Sequence, residues 1–311
     1  MRFIVDIKRN SLPGMAQDHP GRWARDGPSL HRVRWWRPRT TRAKAGLAAV
    51  AAVGATGLAL ALVAGLAGGP AKPAWIMTAG NVQSLSQQDA RTAAHFFNTP
   101  ASYGAGASLV QTPVQARYAT TPVLAYTSYA RFSSDIRSGA IRYHYKWVMY
   151  DPENWSATPV GEQQDPVRYM TLFGQLAHAH GLKVIQAPAL DLATVTGSVL
   201  PRQSGESADQ WFVRVNIAGK AATAGDVFQL QDESNITLGG QYAWMFNTTQ
   251  GQARAANASV LVFSEVSTVD GTAAQMASAA QSIRPDGFYV AAAGKVAQTL
   301  QFFQLMKAAG Y

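Results

Sequence analysis

The sequence predicts an α/β fold, a (βα) TIM-like barrel of seven or eight strands, either closed or incomplete and irregular, preceded by one transmembrane helix. Three observations carry that reading. Residues Ala45 to Ala71 form a run of 27 residues without a charge, rich in Ala, Gly, Leu and Val. Beyond it, short apolar runs alternate with amphipathic segments, the pattern of βα units wound around a parallel sheet. The remaining chain, roughly 240 residues, matches the usual length of such a barrel and is long enough to bury one large core. An open doubly wound sheet is the alternative architecture.

The apolar run sets the organisation of the chain. About 20 helical residues cross a bilayer, and an excess of Lys and Arg keeps its flank in the cytoplasm. Eleven Lys or Arg stand in residues 1–44 against Asp6, Asp18 and Asp26, a net charge of +8, so the rest of the chain carries only +1 of the total of +9. The expected division is a basic cytoplasmic tail over 1–44, a signal-anchor helix over 45–69 and an extracytoplasmic domain over 70–311. Membrane lipid is the expected partner of residues 45–69, with Trp35 and Trp36 as interfacial anchors among the cations. A secretory signal cut after Gly69 or Ala71 would release the domain instead. Because the outer domain is almost neutral, the usual electrostatic basis for binding nucleic acid is missing. The chain has no cysteine, which excludes a disulfide framework, thiolate zinc sites and a cysteine nucleophile.

Seven strands are legible after the spacer at Gly69 to Pro73: Trp75 to Met77, Val123 to Tyr126, Trp147 to Tyr150, Lys183 to Ala187, Val227 to Gln231, Val260 to Phe263 and Gly287 to Ala291. Helices are expected near Gln87 to Phe97, Pro166 to His180, Ala208 to Ala222, Gln241 to Ala256, Ala273 to Ile283 and Lys295 to Ala308. The helix from Pro166 is the best specified: Asp165 can cap it, Pro166 suits its first turn and Gly181 can end it. An eighth strand is expected between Ala101 and Thr121, where Ser108-Leu109-Val110 is apolar. Gly104-Ala105-Gly106 reads as loop.

Parallel barrels gather their chemistry at the C-terminal ends of the strands, and carboxylates recur there. Asp151 and Glu153 follow the third legible strand, Asp191 the fourth, Gln231, Asp232 and Glu233 the fifth, and Glu265 the sixth. Aromatic residues stand near the same positions: Tyr126, Tyr129, Trp155, Trp244 and Tyr289. Paired acids among ring faces form the composition of a sugar-cleaving site. In an extended chain Asp151 and Glu153 share one face, so Glu153 is the expected proton donor, with Asp151 or Glu265 as its catalytic partner. Tyr126, Trp155, Asp191, Gln231, Asp232 and Tyr289 are the expected substrate contacts. No phosphate-cradling, serine-elbow or His-Glu-x-x-His motif is present, and His178 and His180 lie two apart on a helix and diverge. Neither a metal nor another cofactor is expected.

The stretch Tyr150-Asp151-Pro152-Glu153-Asn154-Trp155, with Thr158-Pro159, Glu162-Gln163, Asp165-Pro166 and the run from Leu176 to Ile185, resembles a family of secreted actinobacterial proteins laid out like barrel-type glycoside hydrolases. The resemblance is densest from Val123 to Leu192. It implies a (βα) barrel and an envelope location, and brings no established reaction with it. The Asp-x-Glu pair is also similar to the end of the strand signature of chitinase-like glycosidases, which implies an acid role for Glu153 and a substrate-positioning role for Asp151. Arg142-Tyr143-His144-Tyr145-Lys146-Trp147 stands where that signature has its earlier aspartates. The function expected from these readings is action on carbohydrate or a cell-envelope polymer at the outer membrane face. A non-catalytic binding or scaffold barrel is the alternative.

Overall fold

The computed structural model describes residues 72–106, 117–141 and 145–311. The expected basic tail and membrane helix lie outside the described residues, as does Ser108-Leu109-Val110. Among the described residues no helix is long and apolar enough to cross a membrane.

Eight parallel strands among these residues close into a barrel in chain order. They are β1 (Ala74–Thr78), β2 (Tyr103–Gly106), β3 (Thr121–Tyr126), β4 (Trp147–Tyr150), β5 (Lys183–Gln186), β6 (Val227–Leu230), β7 (Leu261–Ser267) and β8 (Gly287–Ala291). β8 pairs back onto β1 through Ala74 with Gly287 and Ile76 with Tyr289. The expected barrel is present and complete.

The eighth strand is β2, inside the expected interval but at the Gly-Ala-Gly segment read from sequence as loop. It pairs with β1 (Ile76 with Tyr103) and with β3 (Ala105 with Val123). The backbone ladder makes it a strand, since its glycines contribute no side chain.

Around the barrel run α1 (Ala79–Gln88), α2 (Ala90–Phe97), α3 (Tyr129–Arg137), α4 (Val160–Gln164), α5 (Pro166–Ala179), α6 (Ala208–Arg214), α7 (Ile217–Ala224), α8 (Gly240–Ala256), α9 (Ala273–Gln281) and α10 (Val296–Ala308). Local chemistry fixes their ends. Asp89 separates α1 from α2 and caps the latter by accepting from the backbone N–H of Arg91 and Thr92. Asp165 caps α5 ahead of Pro166, and Gly181 follows it with φ +70°, as the sequence led one to expect. The single helix expected over Ala208 to Ala222 is two helices. Asn216 turns left-handed at φ 55° and its side chain accepts from the Gly219 N–H at 3.1 Å, starting α7 on a new axis.

Two apolar layers hold the fold. Ile76, Tyr103, Ala105, Val123, Met149, Ile185, Ala187, Val227 and Phe263 form one buried cluster, and they alternate along the strands with a larger cluster that includes the helix faces. The first set therefore fills the barrel, and the second lies between barrel and helices. The N-terminal end of the barrel is plugged by rings: Tyr103 meets Trp147 edge-on at 5.2 Å, Phe263 stands 6.1 Å from Tyr103, and Lys183 lies 5.3 Å over Trp147. Gly287 makes room for this plug, because a Cβ there would sit 2.6 Å from the Phe263 ring. Gly174 plays the same part outside, where a Cβ would run into the Ala224 carbonyl at the crossing of α5 and α7. At the plugged end, Asp226 accepts from the Val184 N–H at 2.8 Å and Asp286 from the Val262 N–H at 2.7 Å, so each closes the start of the preceding strand. The opposite end of the barrel carries the polar residues.

Candidate active site at the barrel mouth

The strand ladder continues beyond β4 and aims its acids. The Asp151 N–H donates to the Tyr126 carbonyl at 2.9 Å, and the Pro152 carbonyl accepts from Ala189 at 3.2 Å. Chain alternation therefore persists from inward-facing Met149 to Asp151 and Glu153. The amide of Gln231 donates to Asp151 and also to the Ala187 carbonyl at 2.7 Å. It reaches past β5 because Ala187, the inward residue between them, is small. The Glu153 carboxyl has no hydrogen-bond partner among the described residues, while its backbone N–H is held by Thr158 Oγ1 at 3.2 Å.

β7 brings Glu265 into the same space, two residues beyond Phe263 and in register with Tyr289 of β8. Gln229, one inward step below Gln231 on β6, donates to Glu265 Oε2 at 3.1 Å. After β6, a 3-10 turn over Glu233–Asn235 presents Glu233. After β5, a second 3-10 turn over Leu190–Thr194 places Asp191 on the open rim, where it accepts from the Asn154 N–H at 3.0 Å.

These acids raise one another's affinity for protons. Burial lifts Asp151 to about 7, with the Asp191 charge adding and the Gln231 amide opposing. Burial lifts Glu153 to about 8, helped by Asp151, Asp191 and Glu233. Glu233 is pushed up to about 7, by burial first and then by Asp270, Asp151 and Asp191. Glu265 is held well above the ordinary carboxylate range by burial and by the charges of Glu233, Asp151 and Glu153. The Tyr289 phenol is raised by burial and by the same carboxylates, which marks it as facing them. Near neutral pH the set therefore contains both proton donors and an ionised member. A pair of acids split in this way is what general acid and base chemistry requires.

Seven of the nine expected site residues are brought to the mouth: Asp151, Glu153, Glu265, Asp191, Gln231, Tyr289 and, on the loop after β4, Trp155. Trp155 is 43 % exposed and fixed by its indole N–H, which donates to Thr158 Oγ1 at 3.1 Å. Two are not. Tyr126 faces outward, packs against Phe132 and Phe173, and donates its hydroxyl to Asp135 at 3.2 Å. Asp232 is fully buried behind the barrel wall, where it accepts from Ser264 Oγ at 2.9 Å; Ser264 in turn meets the Tyr242 hydroxyl. Both have the wrong parity, since their strand neighbours Ala125 and Gln231 are the inward residues. Trp244 lies in the second turn of α8 and is 42 % exposed.

Gln229 and Glu233 complete the mouth. Glu233 was legible as a strand-end acid, whereas Gln229 in Val-Phe-Gln-Leu reads as part of a buried strand. Glu162 has a structural task. Its buried carboxylate accepts from Tyr129 N–H at 2.6 Å, Ala130 N–H and Ser128 Oγ at 3.1 Å, and the Tyr150 hydroxyl at 2.8 Å, tying the loop after β4 to the start of α3.

No family model matches the chain, and no curated protein matches it. Solved structures similar to it include a class V chitinase from Pseudomonas fluorescens Pf-5, with a TM-score of 0.43 and 11 % identity over 77 % of this chain and 99 % of that one. Another is an active-site mutant of the Rhizomucor miehei beta-1,3-glucanosyltransferase in complex with laminaritriose, with a TM-score of 0.40 and 10 % identity over 72 % and 88 %. A chitinase from Chromobacterium violaceum ATCC 12472 is similar with a TM-score of 0.33 and 14 % identity over 75 % and 88 %.

Proposed function

We propose that the chain is a glycoside hydrolase-like enzyme, anchored in the membrane by residues 45–69, whose barrel acts on carbohydrate or a cell-envelope polymer outside the cell. The observation that supports the reaction is the unequal hydrogen bonding within the acid set. Burial raises both Asp151 and Glu153, but the Gln231 amide donates to Asp151 and favours its ionised form, whereas the Glu153 carboxyl has no such bond among the described residues.

In this reading Glu153 gives its proton to the glycosidic oxygen as the bond to the anomeric carbon breaks. Water adds to that carbon, and its proton passes to an ionised carboxylate of the set; Asp151, whose charged form the Gln231 amide favours, suits that task better than Glu265, which burial and neighbouring charges push toward its neutral form. The Trp155 ring, exposed at the rim, serves as a sugar platform. The anchor rests on the uncharged run and its basic flank.

The test is release of reducing ends from a panel of neutral, N-acetylated and amino glycans by the native chain and by Glu153→Gln. Loss of at least about a hundredfold in rate with binding retained supports an acid role. If the native chain binds glycans but cleaves none, the barrel is a binding domain and the catalytic reading falls.

A further inference from the structure

The mouth acids are distributed around the rim. Asp151 and Glu153 follow β4, Asp191 lies after β5, Glu233 after β6 and Glu265 on β7. They do not converge on a point: among the described residues no three Asp, Glu or His side chains are placed to share one metal ion. Among the described residues no cation neutralises them. Every charge acting on Asp151 and Glu153 is another carboxylate. Lys295 is engaged with the Thr268 carbonyl at 2.8 Å, and Arg202 acts on Glu206.

A second observation concerns neutral groups. Gln229 is 1 % exposed and faces the barrel interior. Its amide N–H is used on Glu265, but its buried Oε1 has no partner among the described residues, and Glu233 Oε2 is in the same condition. The Gln229 oxygen is an acceptor only, and Glu233 Oε2 is one whenever Glu233 is ionised. A buried acceptor is satisfied by a donor brought in from outside, so charge and hydrogen bonding ask for the same ligand: cationic, donor-rich and extended.

We propose, resting on the glycan-cleaving reading, that the substrate class is a polysaccharide with free amino groups, whose successive ammonium groups pair with the acids spread around the mouth. Each ammonium brings a positive charge and three donors, which a hydroxyl or an acetamido group at the same carbon does not. Acidic envelope polymers are repelled by the same ring.

The experiment compares fully deacetylated and fully N-acetylated chitin oligomers of equal length at pH 7, where Asp151 and Glu233 ionise and a bound ammonium draws both further toward the charged form. Binding to the full chain is measured by calorimetry on the Glu153→Gln variant, and initial cleavage rates are measured on the native chain, so that a folding defect in the variant cannot decide the matter. The deacetylated oligomer is expected to bind at least about tenfold more tightly, a preference that shrinks in high salt and with Asp191→Asn or Glu233→Gln. Equal or tighter binding of the acetylated oligomer overturns this inference and leaves the glycan reading standing. Binding of polylysine as tight as that of the amino glycan also overturns it, because the site would then read charge alone. No binding or cleavage of any glycan removes both.

Discussion

Replacing Glu153 by Gln should make the protein more stable at neutral pH while removing its activity. The reason is the proton that the folded chain retains. In the unfolded chain Glu153 ionises at its ordinary value of 4.5, whereas in the fold it holds its proton up to about 8. Between these two values the unfolded state has released a proton that the native state keeps, so stability falls as pH rises through that window and levels off above about 8. One pH unit is worth about 1.4 kcal/mol. From 4.5 to 7 the cost is thus about 3.5 kcal/mol if Glu153 titrates alone, and on the order of 2–3 kcal/mol once part of it is shared among the neighbouring acids. Glutamine keeps the shape without the charge. The variant should gain about that amount at pH 7, or about 5–10 °C in melting temperature for a domain of this size, and should gain almost nothing at pH 4, where both forms are neutral. Calorimetric melting of both proteins from pH 4 to pH 9 reads this directly. A variant less stable than the native chain at pH 7, or a gain of equal size at pH 4, would refute the reasoning.

Three further outcomes follow from the same geometry. The hydrolysis rate should describe a narrow bell in pH, rising as Asp151 ionises near 7 and falling as Glu153 loses its proton near 8, read from initial rates across pH. Gln231→Leu removes the amide that favours ionised Asp151, so the rising limb of that bell should move upward by about one pH unit while the falling limb stays in place. Glu162→Ala leaves two backbone N–H groups and two hydroxyls at the start of α3 without their acceptor. It should cost about 3 kcal/mol or more in urea unfolding, against about 1 kcal/mol for Tyr150→Phe.

The legible parts of the fold were those whose residues announce their own ends. Asp165, Pro166 and Gly181 bracket α5, and Trp147 to Tyr150 and Lys183 to Gln186 are apolar runs that flank it. β2 gave no such sign, because Gly104 and Gly106 have no β preference and are strand only through their ladder to β1 and β3. The break at Asn216 was hidden because both halves of the segment favour helix. At the site, the position of each acid after a strand was visible, but which side of the wall it faced was not. Strands buried on both faces show no alternation of polar and apolar residues, so Tyr126 and Asp232 looked as available as Tyr289 and Gln231. One residue of parity decides between the barrel interior and the helix layer. Gln229 was hidden for the same reason, being a polar residue inside a run that reads as core.

An acid that stays protonated at neutral pH in the barrel mouth is visible to carboxyl-selective NMR titration of the labelled protein. The expected spectrum has a glutamate resonance with a midpoint near 8 that disappears in Glu153→Gln. If every carboxyl resonance assigned to the mouth titrates between about 3.5 and 5, there is no proton donor there at neutral pH and the proposed chemistry is contradicted.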